Sequence, residues 1–216
     1  MNRLKYNISE YPFRDIICNV LSTKSLDKIH EENHFENYEL FSREKDQSTK
    51  YHKLYYNNFK EQVQPIYEKF IKNIIRPLYN ESIAYQKIPT FRLHFPNNIA
   101  VGEYHKDKWY RDKKWHEEVC ELNYYLPFTK AYDTNTIWVE SEEDEGDFQA
   151  MNSKYGEIVQ WDGSNLTHGN KKNLTNTTRI STDFRVIPMS TYKPSTNGSI
   201  NTKTQFSIGG YYKECK

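Results

Sequence analysis

Two histidines and an aspartate have the residue types and spacing of a metal site in this chain of 216 residues. His105 and Asp107 are separated by one residue, and His168 lies on a later segment. Two histidines and one carboxylate can hold a ferrous ion by one face and leave its other positions open. Arg179 follows the second histidine and is placed to hold a carboxylate co-substrate. The set predicts a non-haem iron oxygenase.

The first two ligands need a strand to position them. Residues i and i+2 project from the same face of a strand, so His105 and Asp107 converge on one ion if they stand at the end of a strand over 99–105. His168 must then come from a distant strand. Gly163 and Gly169 indicate tight turns on either side of it.

A strand over 178–187 carries polar residues on alternate positions. Arg179, Ser181, Asp183 and Arg185 share one face, and the opposite face is apolar apart from Thr182. In an ordinary sandwich the polar face is simply solvated. If it points inward, Arg179 offers a planar, two-pronged donor to a carboxylate, and the Ser181 hydroxyl adds a contact.

None of these signals is specific alone. Seven histidines in a charge-rich chain produce an HxD pair by chance fairly often, and a histidine beside glycine is usually a turn residue. Their conjunction in one half of the chain, in this order, favours the metal site.

The apolar pattern changes its period near residue 90. Before it, residues 10–40 predict two helices, and 54–75 predict a longer one in which Pro65 starts a turn or kink and Pro77 is a stop. After it, the period approaches 2 and predicts strands over 90–95, 99–105, 121–127, 136–140, 156–161 and 178–187. Helices followed by evenly spaced strands predict a β-barrel or jelly roll with a helical buttress. The absence of a βαβ alternation argues against a doubly wound sheet.

Composition narrows the function classes. Lys plus Arg (30) nearly balances Asp plus Glu (29), so no overall charge indicates binding to nucleic acid or to an anionic membrane. Cys18, Cys120 and Cys215 show no pairing pattern and suit reduced cytoplasmic thiols. The first residues lack the apolar core of a signal peptide, and no apolar run approaches the length of a membrane span.

Residues 85–187 resemble the streptomycin-biosynthesis-type (phytanoyl-CoA-hydroxylase-like) branch of the iron(II)/2-oxoglutarate-dependent dioxygenase superfamily. The resemblance rests on PTFRLHFP (89–96), AVGEYHKD (100–107), ELNYYLPF (121–128), TNTIWVES (134–141), the segment 163–170 and TRISTDFRV (178–186). Residues 206–212 also resemble the end of that family. The helical first third matches only loosely.

The resemblance implies a mainly β fold, a double-stranded β-helix (jelly-roll, cupin-like) barrel with N-terminal helices. Within one domain, 1–84 would be the helical buttress, 85–187 the core, and 188–216 a tail that packs back on the domain or forms a homodimer.

The resemblance also implies a ligand set. His105, Asp107 and His168 would hold Fe(II), while Arg179 and Ser181 would bind the distal carboxylate of 2-oxoglutarate, and O2 would be consumed. Related halogenases replace the carboxylate ligand with a small residue. The presence of Asp107 therefore favours hydroxylation or a related oxidation.

Supporting roles are predicted from strand parity. Asn123 and Thr136 lie on strands that should flank the metal and are predicted to bind 2-oxoglutarate or substrate. Five residues are predicted for a polar substrate pocket: Arg92, Glu103, Trp138, Glu140 and Arg185. For each, a barrel residue paired with a neighbour is an equal alternative. The charged, aromatic segment 108–118 is interpreted as a lid or recognition loop.

The predicted function is hydroxylation of a small polar metabolite in biosynthesis, such as a sugar, sugar nucleotide, aminocyclitol or amino acid. One alternative is a cupin-like binding protein without redox chemistry. A protein hydroxylase is a less favoured third class, and the neutral charge balance argues against a nucleic-acid substrate.

Overall fold

The computed structural model describes residues 1–32, 47–99, 103–110, 113–199 and 203–216. Over these ranges the chain is mainly β, with a few helices. The α-helices are α1 (Phe13–Leu21), α2 (Lys50–Asn58), α3 (Gln64–Phe70) and α4 (Lys113–Glu118). The strands are β1 (Asn2–Lys5), β2 (Ile83–Gln86), β3 (Thr90–His94), β4 (Leu122–Pro127), β5 (Ile137–Val139), β6 (Gln149–Ala150), β7 (Glu157–Trp161), β8 (His168–Asn170), β9 (Arg179–Pro188) and β10 (Tyr212–Cys215).

The strands form two antiparallel sheets. The larger has the order β1-β7-β4-β9-β2-β10, and β3 also pairs with β9. The smaller has the order β6-β5-β8. The long strand β9 is central, because β4 pairs along one of its edges while β3 and then β2 pair along the other. This arrangement brings polar positions of β3, β4 and β9 onto one face, opposite the smaller sheet.

A helical layer covers the other face of the larger sheet. Phe13, Ile17 and Val20 recur at helical spacing and are buried, and the side chain of Thr49 caps α2 by accepting a hydrogen bond from the His52 backbone. The apolar side chains of β9 pack into the same core: Ile180, Phe184 and Val186. Burial of these aromatic and aliphatic surfaces supplies most of the drive for folding.

The predicted long helix is interrupted near Pro65, where the missing amide donor predicts a turn or kink. A π-helical turn spans Phe59–Val63, and Pro65 follows near the start of α3. A wider turn of this kind accommodates a residue that has no amide donor. The helical stretch ends with a 3-10 turn at Arg76–Leu78, which contains Pro77.

Two predicted elements differ from the structure. The second N-terminal helix is replaced by turns up to residue 32, and its remainder over 33–40 lies outside the described residues. Within the predicted strand 99–105, residues 100–102 are also outside them, and the described part contains only a single bridge, at His105. This bridge pairs His105 with His168.

The C-terminal end packs on the same chain. β10 pairs with β2, and Phe206, Tyr211 and Tyr212 are buried against Ala84 and Ile187. Leaving these rings in water would be costly, and this packing buries them. The domain boundaries and the dimer role predicted for 188–216 stay predictions. Across the described ranges, no helix combines the length and apolar character needed to cross a bilayer.

Candidate active site

His105 and His168 face each other as one hydrogen-bonded antiparallel pair. The backbone N–H of each donates to the carbonyl of the other at 2.9 Å. In such a pair the two side chains lie side by side, and the ring centroids are 4.6 Å apart. Two histidines distant in sequence are thereby positioned by two backbone hydrogen bonds.

Asp107 reaches the same place through a turn rather than a strand. It begins a 3-10 turn at Asp107–Tyr110, and its backbone N–H donates to the Gly163 carbonyl at 2.9 Å. This bond ties the turn to the loop before β8. The convergence expected from i and i+2 of one strand is thus achieved by a different backbone path.

The donor set suits a divalent metal. One ligand atom from each of His105, Asp107 and His168 lies within 4.8 Å of the others. The Nδ1 atoms of the two histidines face the carbonyls of Glu103 (3.0 Å) and Leu166 (2.9 Å). A carbonyl only accepts, so each Nδ1 carries the proton and each Nε2 presents its lone pair, which is the form that binds a metal. Burial lowers the pKa of His168 and keeps its ring neutral.

The second oxygen of Asp107 is bound by protein donors. Arg185 donates to Oδ2 through Nε (3.0 Å) and Nη2 (2.8 Å), and Asn123 donates through Nδ2 (2.9 Å). The carboxylate is buried. A buried carboxylate would be expensive without such partners. Asn123 was predicted to bind 2-oxoglutarate or substrate, and Arg185 to line the substrate pocket. Both instead hydrogen-bond to Asp107, a predicted metal ligand.

Arg179 occupies the other end of the cleft as a buried cation. It is 1% exposed, and it donates through Nε to the Asn135 carbonyl (3.0 Å) and through Nη1 to the Ser181 hydroxyl (2.9 Å). Its Nη2 has no partner among the described residues. Burial lowers the pKa of Arg179. A guanidinium in this state is suited to a planar carboxylate from a ligand.

Tyr125 is a neighbour of Arg179 that sequence reasoning missed. Its hydroxyl is buried next to the hydroxyls of Ser181 and Thr136. Burial raises the pKa of Tyr125, and the charge of Arg179 partly offsets the rise. Strand parity could have identified it, because Tyr125 lies two residues after Asn123 on the same face of β4 and pairs in register with Asp183 of β9.

Two more of the predicted residues, Arg92 and Thr136, lie at or next to the cleft. Arg92 lines the cleft and forms an ion pair with Asp183, with Nε and Oδ1 3.0 Å apart. Thr136 is buried beside Tyr125 and donates to the Met151 carbonyl at 2.7 Å. The lid or recognition role of 108–118 stays a prediction, and residues 111–112 of that segment lie outside the described ranges.

Three predicted substrate residues lie outside the cleft lining. The indole of Trp138 donates to the Asp133 carbonyl at 3.0 Å and carries Lys171 over its ring. Glu140 is buried and accepts from the backbone N–H of Thr167, next to His168, so it supports the loop that carries that histidine. The side chain of Glu103 is exposed. Their substrate roles stay predictions.

The cleft lies between the two sheets and has an empty volume of about 470 Å³, including its open mouth. Its lining includes the three predicted metal ligands, with Arg179 and Arg185 from β9 and Ile137 from β5. Trp161 also lines it, and its indole N–H is buried without a partner in the described structure. The predicted metal ligands and the arginine predicted to bind a carboxylate thus line one cavity.

The chain has a close relative in sequence and several in fold. The streptomycin biosynthesis protein StrG of Streptomyces griseus is 34% identical over 210 residues, which cover 97% of this chain and 96% of StrG. No protein-family model matches.

Among solved structures, CytC3 with Fe(II) and alpha-ketoglutarate is 14% identical, with a TM-score of 0.52 over 87% of this chain and 72% of CytC3. SnoK, a non-heme alpha-ketoglutarate dependent carbocyclase from nogalamycin biosynthesis, is 10% identical, with a TM-score of 0.50 over 99% of this chain and 91% of SnoK. At these identities the likeness shows a shared fold.

Proposed function

Because the chain belongs to the streptomycin-biosynthesis-type branch of the iron(II)/2-oxoglutarate-dependent dioxygenases, we propose that this oxygenase hydroxylates a small polar metabolite in a biosynthetic pathway. Sugars, sugar nucleotides, aminocyclitols and amino acids are the substrate classes in view. One observation carries the proposal. Arg179 is buried, its Nη2 has no partner among the described residues, and it lines the same cleft as the two histidines and Asp107. The proposed fold is a double-stranded β-helix, and the chain is proposed to be one domain with the boundaries given above.

In this proposal His105, Asp107 and His168 hold the iron. Arg179 and Ser181 bind the distal carboxylate of 2-oxoglutarate, which fixes its direction in the cleft. When bound, iron and 2-oxoglutarate supply the oxidation of a C–H bond by dioxygen, with succinate and carbon dioxide as co-products. The protein contributes orientation and the exclusion of water, since Asp107 and His168 at one end of the cleft and Arg179 at the other are buried.

The substrate would lie at the open side of the cleft. Arg92 and Asp183 are partly exposed there, at 21% and 11% of their side-chain areas. An ion pair of this kind can exchange its mutual bond for bonds to hydroxyl, amino or carboxylate groups of a ligand. This supports a polar substrate over an apolar one.

The proposal is tested by measuring 2-oxoglutarate turnover by the Fe(II)-loaded protein. Purified protein loaded with Fe(II) is incubated with 2-oxoglutarate and fractions of polar metabolites, and succinate and products heavier by one oxygen atom are measured by mass spectrometry. Substrate-dependent succinate is expected, and it should disappear in His105→Ala. The absence of any 2-oxoglutarate turnover, coupled or uncoupled, would contradict the proposal and favour a binding protein without redox chemistry.

A further inference from the structure

One carboxylate oxygen of Asp107, Oδ2, is held by side-chain donors. Three N–H donors, two from Arg185 and one from Asn123, converge on Oδ2 at 2.8 to 3.0 Å. A carboxylate oxygen has about two lone-pair sites, so these donors saturate it. Oδ1 lies towards the histidines, 3.6 Å from His105 Nε2.

We infer that Arg185 and Asn123 are positioning residues that restrict Asp107 to binding the metal through Oδ1 alone. The inference rests on the proposed function. One-oxygen binding uses one metal position, whereas two-oxygen binding uses a second position that the co-substrate or dioxygen needs. The pair of residues therefore acts on co-substrate binding through the metal ligand, without touching the co-substrate.

The positioning residues are themselves fixed. Arg185 donates from Nη1 to the Tyr211 hydroxyl at 2.8 Å, and its Nε lies 3.6 Å from a carboxylate oxygen of Glu121. Glu121 in turn accepts from the Tyr212 hydroxyl. The guanidinium is thus held between Asp107 and the C-terminal aromatic residues, which links the tail to the metal site.

The side chain of Asn123 packs directly against the backbone of Gly163. A Cβ added at Gly163 would lie 2.6 Å from Asn123 Nδ2, closer than such atoms ever approach. The same glycine accepts the backbone N–H of Asp107. Glycine at 163 therefore allows the Asn123 amide to reach Oδ2 while the neighbouring turn is held in place.

The experiment compares Arg185→Gln and Asn123→Leu with the unmodified protein, using Co(II) in place of iron. Calorimetry measures the Kd of the metal and the Kd of 2-oxoglutarate, and visible absorption reports the Co(II) coordination. We expect metal binding to be retained. The Kd of 2-oxoglutarate should rise about tenfold, the scale of losing charge-assisted hydrogen bonds, and the Co(II) spectrum should change. Arg185→Lys, which keeps the charge but not the two-bond geometry, should be intermediate.

Arg14→Gln is the matched control. Arg14 also donates through Nε, to the Phe128 carbonyl at 2.8 Å, and is outside the cleft lining. It should leave the spectrum and both Kd values unchanged. Folded Arg185→Gln and Asn123→Leu proteins with an unmodified spectrum and 2-oxoglutarate affinity would overturn the inference, as would complete loss of metal. Failure of the unmodified metal-loaded protein to bind 2-oxoglutarate would instead overturn the proposed function.

Discussion

The two ends of the cleft treat their polar groups differently. At the metal end, the atoms on the far side of each predicted ligand are hydrogen-bonded: Nδ1 of His105 and His168 to backbone carbonyls, and Oδ2 of Asp107 to side-chain donors. At the co-substrate end, Arg179 is a buried cation whose Nη2 has no partner within the described residues, and the Tyr125 hydroxyl lies beside it.

The difference separates stability from binding. An unpartnered buried polar group costs about 1–3 kcal/mol, a cost that is recovered when a ligand supplies the missing partner. Groups at the metal end already have their partners, so removing one should cost stability as well as binding. Groups at the co-substrate end should lose binding when removed and keep or gain stability. The predictions below test that contrast.

The largest effect is expected from His168→Ala. It removes one of three ligands but leaves the backbone pair with His105, so the fold should persist while the Kd of the metal rises by about a thousandfold or more. Metal content after dialysis and a metal titration measure this. His30→Ala is the control, because His30 bonds to the Thr178 hydroxyl away from the cleft. Stoichiometric iron in His168→Ala would refute the ligand assignment.

Arg179→Met should separate the two properties most clearly. The Kd of 2-oxoglutarate should rise about a hundredfold, while the free energy of unfolding in the absence of ligand stays level or rises by up to about 2 kcal/mol. The reason is that an apolar chain replaces a buried cation whose Nη2 has no partner among the described residues. Calorimetry and urea unfolding measure the two quantities. A 2-oxo acid without the distal carboxylate, 2-oxobutanoate, should bind both proteins equally. A strongly destabilised Arg179→Met would assign the arginine a structural role.

Gly163→Ala tests the metal end without touching a ligand. The new methyl group collides with the Asn123 amide, so we expect a loss of about 1–3 kcal/mol in unfolding free energy, the usual cost of overpacking, and a weaker 2-oxoglutarate complex. The control is a double-mutant cycle with Asn123→Ala, in which the methyl group meets empty space. Additive effects in that cycle would show that the collision with Asn123 is not the cause.

Much of this contrast was readable from the chain before its structure. Strand parity placed Arg179 and Arg185 on one face of β9, and both line the cleft. Parity works there because β9 is long and paired on both edges, which leaves little freedom in its register. The strands predicted at 121–127 and 156–161 match β4 and β7 within a residue for the same reason.

The partners of those residues were beyond sequence reasoning. Arg185 and Asn123 have the right face for a substrate pocket, yet both are directed at Asp107. Their hydrogen bonds depend on the position of Asp107, and a turn rather than a strand sets that position. No periodicity encodes that turn, because backbone hydrogen bonds from Asp107 and Lys108 to the carbonyls of Gly163 and Ser164 fix it across a long sequence separation.

Tyr125→Phe should have a smaller effect at the co-substrate end. Removing the hydroxyl should raise the Kd of 2-oxoglutarate roughly five- to tenfold, the value of one ordinary hydrogen bond, with unchanged metal affinity and unfolding free energy. Calorimetry with the metal-loaded protein measures it. Tyr132→Phe is a matched control, because the Tyr132 hydroxyl is bonded to Thr177. A 2-oxoglutarate affinity equal to that of the unmodified protein would leave the Tyr125 hydroxyl without a part in the complex.

The smallest effect at neutral pH concerns His94, which lies near Arg179. Burial, followed by the charge of Arg179, lowers the pKa of His94 to about 3. Its Nε2 lies 2.7 Å from the Asn98 carbonyl and its Nδ1 lies 3.2 Å from the Asn135 carbonyl, to which Arg179 also donates. The ring is therefore buried in its neutral form.

A histidine that stays neutral when folded makes stability depend on pH. Above the unfolded pKa, near 6.5, His94 is neutral in both states and contributes no dependence. As the pH falls from about 6.5 towards 3, only the unfolded chain takes up the proton, so stability falls by about 1.4 kcal/mol per pH unit from this group. His94→Gln should flatten the pH profile of unfolding free energy between pH 6.5 and about 4.5, measured by urea unfolding. Equal slopes in the two proteins would mean that His94 is charged in the fold, and that this end of the cleft carries two buried cations rather than one.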